Sequence, residues 1–377
     1  MSGRAAPAPQ TRIAMMYLPD IPEDARQTPP CPHYGRCGGC SLQEAQEGWL
    51  AEWKTGQVRR ALEAQGLEAE FLAPHISPPM SRRRAVFAGT RTKKGAIVGF
   101  HGRASHTLFP VPDCQVVRPA LTAALPGLEA LTRTVASRKG EVTITVSESA
   151  AGPDVALRGG KAPDGPMRIA LAALAQEHGF ARLSLDGEVL VTLAAPEQDF
   201  DGIAVVPPPG AFLQATRDGE AALRDGVARA LTGAKRVADL FAGSGTFALP
   251  LARKTEVHAV EGSAAMVQAL DRAWRHASGL RPVTTEARDL FRRPLTPEDL
   301  KKFDGVAIDP PRAGAEAQCA EIAASGVSRV GFVSCNPVTF ARDAKQLVGA
   351  GFRIDWLRVV DQFRWSTHIE LVAGLSR

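Results

Sequence analysis

The chain has 377 residues, an ordinary hydrophobic fraction of 45%, a charged fraction of 23%, and a formal net charge of +5 from 45 basic and 40 acidic residues. This composition excludes disordered and collagen-like chains, and without an 18-residue apolar run no transmembrane helix is expected. The length suits two domains, the cationic excess favours an anionic partner, and, with no apolar leader in the first thirty residues, a cytoplasmic protein is expected. Six cysteines in that setting read as metal-binding or catalytic thiols rather than disulfides.

In chain order, residues 1–30 are rich in Pro and polar residues and are expected to form a flexible arm. Next comes "CPHYGRCGGCSLQ", where Cys31, Cys37 and Cys40 bring three soft ligands into one loop. The remaining cysteine of this half, Cys114 in "PVPDCQVV", is the candidate fourth ligand. Four thiolates suit zinc or an iron–sulfur cluster; structural zinc usually pairs two CxxC knuckles and only one is present, which favours 4Fe-4S and leaves zinc open. Residues 44–66 read as a helix stopped by Gly66, assigned to the first domain although able to pack on the second. Residues 83–117 read as strands with a hairpin turn at Lys94-Gly95, and 119–139 as helix. "EVTITVSES" and "VLVTLAA" alternate like half-exposed strands. The proline run in "VVPPPGAF" reads as a linker, which sets the domains at 31–206 and 207–377.

After the linker, strands and helices alternate, as in a parallel doubly wound sheet. "VADLFAGSGTFALPLA" combines a strand, a Gly-rich turn and a helix start, with Gly243 and Gly245 letting the turn approach a ligand. Glu261, after the next strand, can accept hydrogen bonds from ribose hydroxyls. Gly243-x-Gly245-x-x-Ala248 also satisfies a relaxed dinucleotide fingerprint. Asp289 in "EARDLF" and Asp309 in "IDPPRAG", at the ends of later strands, shift the reading toward S-adenosylmethionine. Cys335, ending the strand "RVGFVS" and followed by Asn336 and Pro337, faces the same crevice and is a candidate nucleophile. Cys319 reads as helix packing. The expected fold is thus α/β, with a C-terminal Rossmann-like methyltransferase domain and an N-terminal α+β domain carrying the cysteine cluster.

"DPPRAG", "SCNPVTFARD", "FLQAT", "DLFAGSGTF" and "HIEL" resemble the motifs of the RNA uracil-5-methyltransferases. "CPHYGRCGGCSLQ" with Cys114 resembles their iron–sulfur branch, typified by the 23S rRNA 5-methyluridine enzymes. The resemblance runs from Cys31 to the C-terminus. It implies a 4Fe-4S cluster on Cys31, Cys37, Cys40 and Cys114, and cofactor contacts at Gln214, Phe241, Thr246, Glu261, Asp289 and Asp309. It makes Cys335 the nucleophile and Glu370 the proton-abstracting carboxylate. Too few residues precede Cys31 for the TRAM domain that many iron–sulfur members carry, and Ala242 and Thr246 stand where the family often has Cys and Asn.

The chemistry agrees. C5 of uracil becomes nucleophilic only after a thiolate adds to C6, and a base must then remove the C5 proton so that the thiol can leave. RNA is expected along Arg82, Arg83, Arg84 and Arg312, with Lys93, Lys94 and Arg103 nearby. Arg312 could also depress the thiol's pKa. His368 reads as structural. The expected substrate is rRNA, methylated by a monomer without an obligate protein partner. The alternatives are a tRNA 5-methyluridine enzyme, a non-catalytic RNA-binding protein, and an exocyclic-amine methyltransferase. The last wants an aromatic residue after Asp-Pro-Pro, where this chain has Arg312.

Overall fold

From Arg236 onward, short apolar strands alternate with helices, and the five strands through Arg329–Ser334 pair parallel. The computed structural model describes residues 18–377. Strand Arg236–Leu240 is central: Glu256–Glu261 and Val283–Ala287 extend the sheet on one side, Gly305–Ile308 and Arg329–Ser334 on the other. The last strand, Leu371–Ser376, inserts antiparallel between Arg329–Ser334 and Arg353–Asp361. Strand order therefore reverses beside Arg236–Leu240, and the crevice at such a reversal is where ligands bind. Local signals start the flanking helices. Thr216 caps Arg217–Ala230 by accepting from Gly219 N at 3.0 Å, and Asn336 caps Pro337–Gly349, with Pro337 in its first turn.

A second, seven-stranded sheet runs from Leu108–Phe109 through Ala96–His101, Arg84–Arg91, Glu141–Ser147, Asp154–Arg158 and Arg182–Leu185 to Glu188–Thr192. Helices Leu125–Val135 and Gly165–Glu177 cover it, with Leu128, Leu131, Val142, Ile144 and Leu171 in its core.

Two boundaries differ from the sequence reading. The segment from Glu47 to Ser77 lies with the large sheet, not the small one. Helix Glu47–Glu63 packs Val58 and Leu62 into the large core, and His75–Ile76 pairs parallel with Val360–Asp361. The unit changes before the proline run as well: Phe200, Ile203 and Val205 are already buried in the large unit's core. Prolines mark irregular backbone, whereas apolar burial decides which core a segment joins. The expected arm at 1–30 also divides. Residues 1–17 lie outside the described residues, while Ile21 and Ala25 pack with Leu42, Ala45, Leu50 and Trp365. No described helix is long and apolar enough to cross a membrane.

Candidate active site

The Gly-rich turn leaves strand Arg236–Leu240 through Phe241, whose φ of 61° is unusual for a side-chain-bearing residue, and Gly243, with φ of 57°. Gly243 N donates to Glu261 Oε2 at 3.1 Å, and Ser263 N donates to Glu261 Oε1 at 2.8 Å. Glu261 thus ties the turn to the next helix start. Gly245, at φ 102°, serves packing: a Cβ there would sit 2.9 Å from Leu249 and Leu270 side-chain atoms. Gly245 and Thr246 are absent from the lining of the large cavity at this turn. Its volume is about 720 Å³, and its walls include Gln214, Phe241, Gly243, Glu261, Asp289 and Asp309 together with Cys335 and Glu370.

The cavity carries groups of both signs. Glu261, Asp289, Asp309 and Glu370 line it, as do Arg82, Arg312, Arg364 and His368. Beside Asp289, Phe241 and the half-exposed Phe291 meet with ring centroids 5.4 Å apart and planes tilted by 54°, so apolar surface adjoins the acids. Burial pushes the Asp309 carboxyl up to about 7. Asp239, fully buried beneath the turn, is held well above the usual carboxylate range by burial and then by Asp309. A cationic ligand would relieve this crowding of acids.

Cys335 follows strand Arg329–Ser334. Asn336 fixes its loop: Asn336 Nδ2 donates to Arg312 O at 3.0 Å and Val338 N donates to Asn336 Oδ1 at 3.1 Å. The thiol is pushed up to about 12 by burial, then by Glu370 and Asp309, with Arg312 opposing. The expectation that Arg312 yields a depressed thiol pKa is therefore corrected: its pull is real but outweighed. A protonated thiol predicts a rising reactivity profile, because the thiolate fraction grows about tenfold per pH unit below the pKa. Alkylation of the Cys335 peptide by iodoacetamide, followed by mass spectrometry, should keep accelerating above about pH 9, where an ordinary thiol levels off. A plateau there would contradict the assignment.

Glu370 is buried, and burial, then Asp309, hold its carboxyl well above the ordinary range. Gln362 Nε2 donates to Glu370 Oε2 at 3.2 Å and to Gln214 Oε1 at 2.6 Å, and Gln214 Nε2 donates to Asp309 Oδ2 at 3.2 Å. The sequence reading missed Gln362 and Asp239. An acid within the apolar strand "RVADL" was a signal for the latter; an amide in an irregular segment gave none.

The arginine run separates. Arg82 lies over the Phe363 ring, 5.7 Å from its centroid, and Arg312 is exposed on the cavity wall. Arg83 is corrected as an RNA contact: it is 1% exposed, paired with Glu220, and donates through Nε to Gln214 O at 3.1 Å. Arg84 donates to Ala211 O at 3.0 Å and Gly210 O at 3.3 Å, so it braces the linker loop. Lys93, Lys94 and Arg103 are exposed.

Cys31, Cys37, Cys40 and Cys114 line a second cavity of about 170 Å³, which shares Gly39, Arg82 and Val116 with the first. Burial raises the thiols of Cys37 and Cys114, and that of Cys40 to about 12. Among the described residues, no group of three or more His, Cys, Asp or Glu is arranged to hold a metal ion. The cluster expected from the sequence is therefore not shown.

A mostly parallel sheet with reversed strand order, a Gly-rich turn and an acid-lined crevice define a doubly wound nucleotide-binding domain. A family model described as tRNA (Uracil-5-)-methyltransferase matches residues 226–377. The chain is 47% identical to an uncharacterized RNA methyltransferase of Rhizobium meliloti, over 93% of this chain and 86% of that protein. It is 33% identical to a 23S rRNA (uracil(1939)-C(5))-methyltransferase of Chromohalobacter salexigens, over 93% of this chain and 77% of that one. The same fold occurs in Pyrococcus abyssi tRNA (uracil-54, C5)-methyltransferase, solved with S-adenosyl-L-homocysteine, at TM-score 0.71 and 23% identity over 89% of this chain and 85% of that one. The chain belongs to the RNA (uracil-5-)-methyltransferase family and is an S-adenosylmethionine-dependent RNA methyltransferase.

Proposed function

We propose that the enzyme methylates C5 of a uridine in 23S rRNA through a covalent adduct with Cys335. The observation that carries this reading is the meeting of one thiol and one buried carboxylate, Cys335 and Glu370, in a single cavity with the acidic crevice. The cofactor supplies a methyl group on a sulfonium, a cation suited to that crevice. Cys335, once its proton has passed to solvent, bonds through Sγ to C6 of the base, and the displaced C5–C6 electron pair makes C5 the nucleophile that takes the methyl group, the S–CH3 electron pair staying on the donor's sulfur, which leaves as a neutral thioether. Glu370 then accepts the C5 proton; the C5–H electrons restore the C5–C6 double bond and expel the thiolate. The target base leaves its stack to reach the cavity, where Arg82 and Arg312 meet its phosphates.

Support for 23S rRNA over tRNA comes from the Chromohalobacter salexigens relative, which matches nearly the whole chain. The test is methyl transfer to purified, unmodified 23S rRNA and to bulk tRNA, with mass-spectrometric mapping of 5-methyluridine. Incorporation into tRNA alone would favour the second reading.

A 4Fe-4S cluster on Cys31, Cys37, Cys40 and Cys114 is part of this proposal. Its support is the convergence of four cysteines from two separate segments on one cavity. Such a cluster takes one thiolate per iron, and its positive irons would offset the mutual repulsion of buried thiolates. Its role would be structural. Ser41 N and Leu42 N, just after Cys40, donate to Trp365 O at 2.9 and 3.0 Å, which links the cysteine loop to the segment leading into Glu370. Protein purified without oxygen should be brown and contain about four irons per chain. Stoichiometric zinc in a colourless preparation would overturn the cluster.

A further inference from the structure

Gln362 lies in the irregular segment between strands Arg353–Asp361 and Leu371–Ser376 and is 2% exposed. Its carbonyl Oε1 accepts from two backbone amides, Ala215 N at 2.8 Å and Thr216 N at 3.4 Å. Those donors settle which end of the amide is which, because an NH₂ group there would face two N–H groups. Nε2 must then point the other way, and both of its hydrogens have acceptors: Gln214 Oε1 at 2.6 Å and Glu370 Oε2 at 3.2 Å. Gln214, its own oxygen engaged, offers Nε2 to Asp309. The chain of donors has a single direction, from the backbone at Ala215 and Thr216 through Gln362 to Glu370 on one branch, and through Gln214 to Asp309 on the other.

We propose that Gln362 is a positioning residue that commits Glu370 Oε2 as a hydrogen-bond acceptor and leaves Oε1 as the oxygen that takes the C5 proton. This rests on the reading of Glu370 as the base. A carboxylate free to rotate could turn either oxygen, or a protonated O–H, toward the substrate. A donor fixed on one oxygen removes that freedom and favours the ionised form, the form able to accept a proton. Several groups act on Glu370. Asp309, following strand Gly305–Ile308, opposes ionisation; Arg312, in the next loop, and the Gln362 hydrogen bond favour it. Cys335, at the end of Arg329–Ser334, shares the cavity. Gln362 is thus a lever on Glu370 that touches neither the nucleophile nor the methyl donor's acidic residues directly. It also explains how Glu370 stays oriented in a buried site with few donors.

The test separates formation of the protein–RNA adduct from its decay, by rapid quench and denaturing gels across pH, in wild type, Gln362→Met and Gln362→Glu. Met keeps the length and loses the donor; Glu adds a negative charge beside Glu370. In Gln362→Met, adduct formation, which needs Cys335 but not the base, should change by less than about threefold; in Gln362→Glu the added negative charge also opposes thiol deprotonation, so that variant is read by the pH profile of decay alone. Decay should slow roughly tenfold at neutral pH in Gln362→Met, as expected for one hydrogen bond to a charged group. The sign of the pH effect follows from the donor's preference for ionised Glu370. Without it the carboxyl holds its proton to higher pH, so the decay profile should move to the alkaline side in Met and further in Glu. Coincident profiles in all three proteins, or equal loss of formation and decay, would overturn the inference. If Gln362→Met fails to fold, the near-isosteric Gln362→Glu carries the test alone. A wild-type enzyme that methylates RNA with no adduct at any time would instead overturn the covalent reading itself, and this inference with it.

Discussion

Cys335→Ala is expected to reduce methyl transfer below detection and to leave no protein–RNA adduct, whereas Glu370→Gln should trap one. Without a bond at C6, C5 never gains the electron density to attack a methyl group, so the Ala variant stops before chemistry begins. The Gln variant keeps the thiol, and neither addition nor methyl transfer uses the carboxylate as a base. The C5 proton then stays in place, elimination stalls, and turnover should fall by about 10²–10⁴. Denaturing gels with cofactor carrying a labelled methyl should show a labelled slow-migrating band for Glu370→Gln only. Because Glu370 raises the Cys335 thiol's pKa, the neutral Gln should also ease deprotonation of the nucleophile, which favours accumulation of the band. Normal turnover by the Gln variant would remove Glu370 from the role.

The second large effect is on stability. Arg83 and Glu220 are 1% and 2% exposed and paired across the junction between the two sheets' units. Burial raises the Glu220 carboxyl while Arg83 pulls it down. Removing one partner of such a pair leaves an uncompensated buried charge, and Arg83→Met should cost about 3–5 kcal/mol in chemical denaturation. Arg83→Met combined with Glu220→Leu should recover much of that loss, because no charge is then stranded. Equal losses in the single and double variants would show that the side chain's packing, not its charge, matters.

Arg83 also shows where the sequence is hard to read. Three consecutive arginines look like a solvated cationic face, yet alternation along strand Arg84–Arg91 and its approach turns Arg83 inward while Arg82 faces the cavity. Local signals served well where one residue type has one use. The strand and Gly-rich turn around Gly243 and the strand-end positions of Asp309 and Cys335 stand where the chain's patterning put them, whereas Asn336-Pro337, read only as a break after the strand, also starts helix Pro337–Gly349. Long-range pairings were illegible. Nothing near His75–Ile76 announces a partner at Val360–Asp361, and nothing in "DQFRWST" marks Gln362 as the link between Gln214 and Glu370. Buried Lys54 is similar: its helical neighbours give no hint that Nζ reaches Asp361 Oδ1 at 2.6 Å and Phe363 O at 3.2 Å, bracing the catalytic segment from the helix side.

The central claim is that methyl transfer occurs at C5 of uridine with loss of the C5 hydrogen to Glu370. The most direct measurement uses RNA transcribed with uridine tritiated at C5, incubated with the enzyme and cofactor carrying a ¹⁴C-labelled methyl. One tritium should pass to solvent for each methyl group incorporated, with release strongly reduced in Glu370→Gln while the methyl still enters the covalent band. Incorporation of methyl with full retention of tritium would place the methyl on another atom and contradict the account.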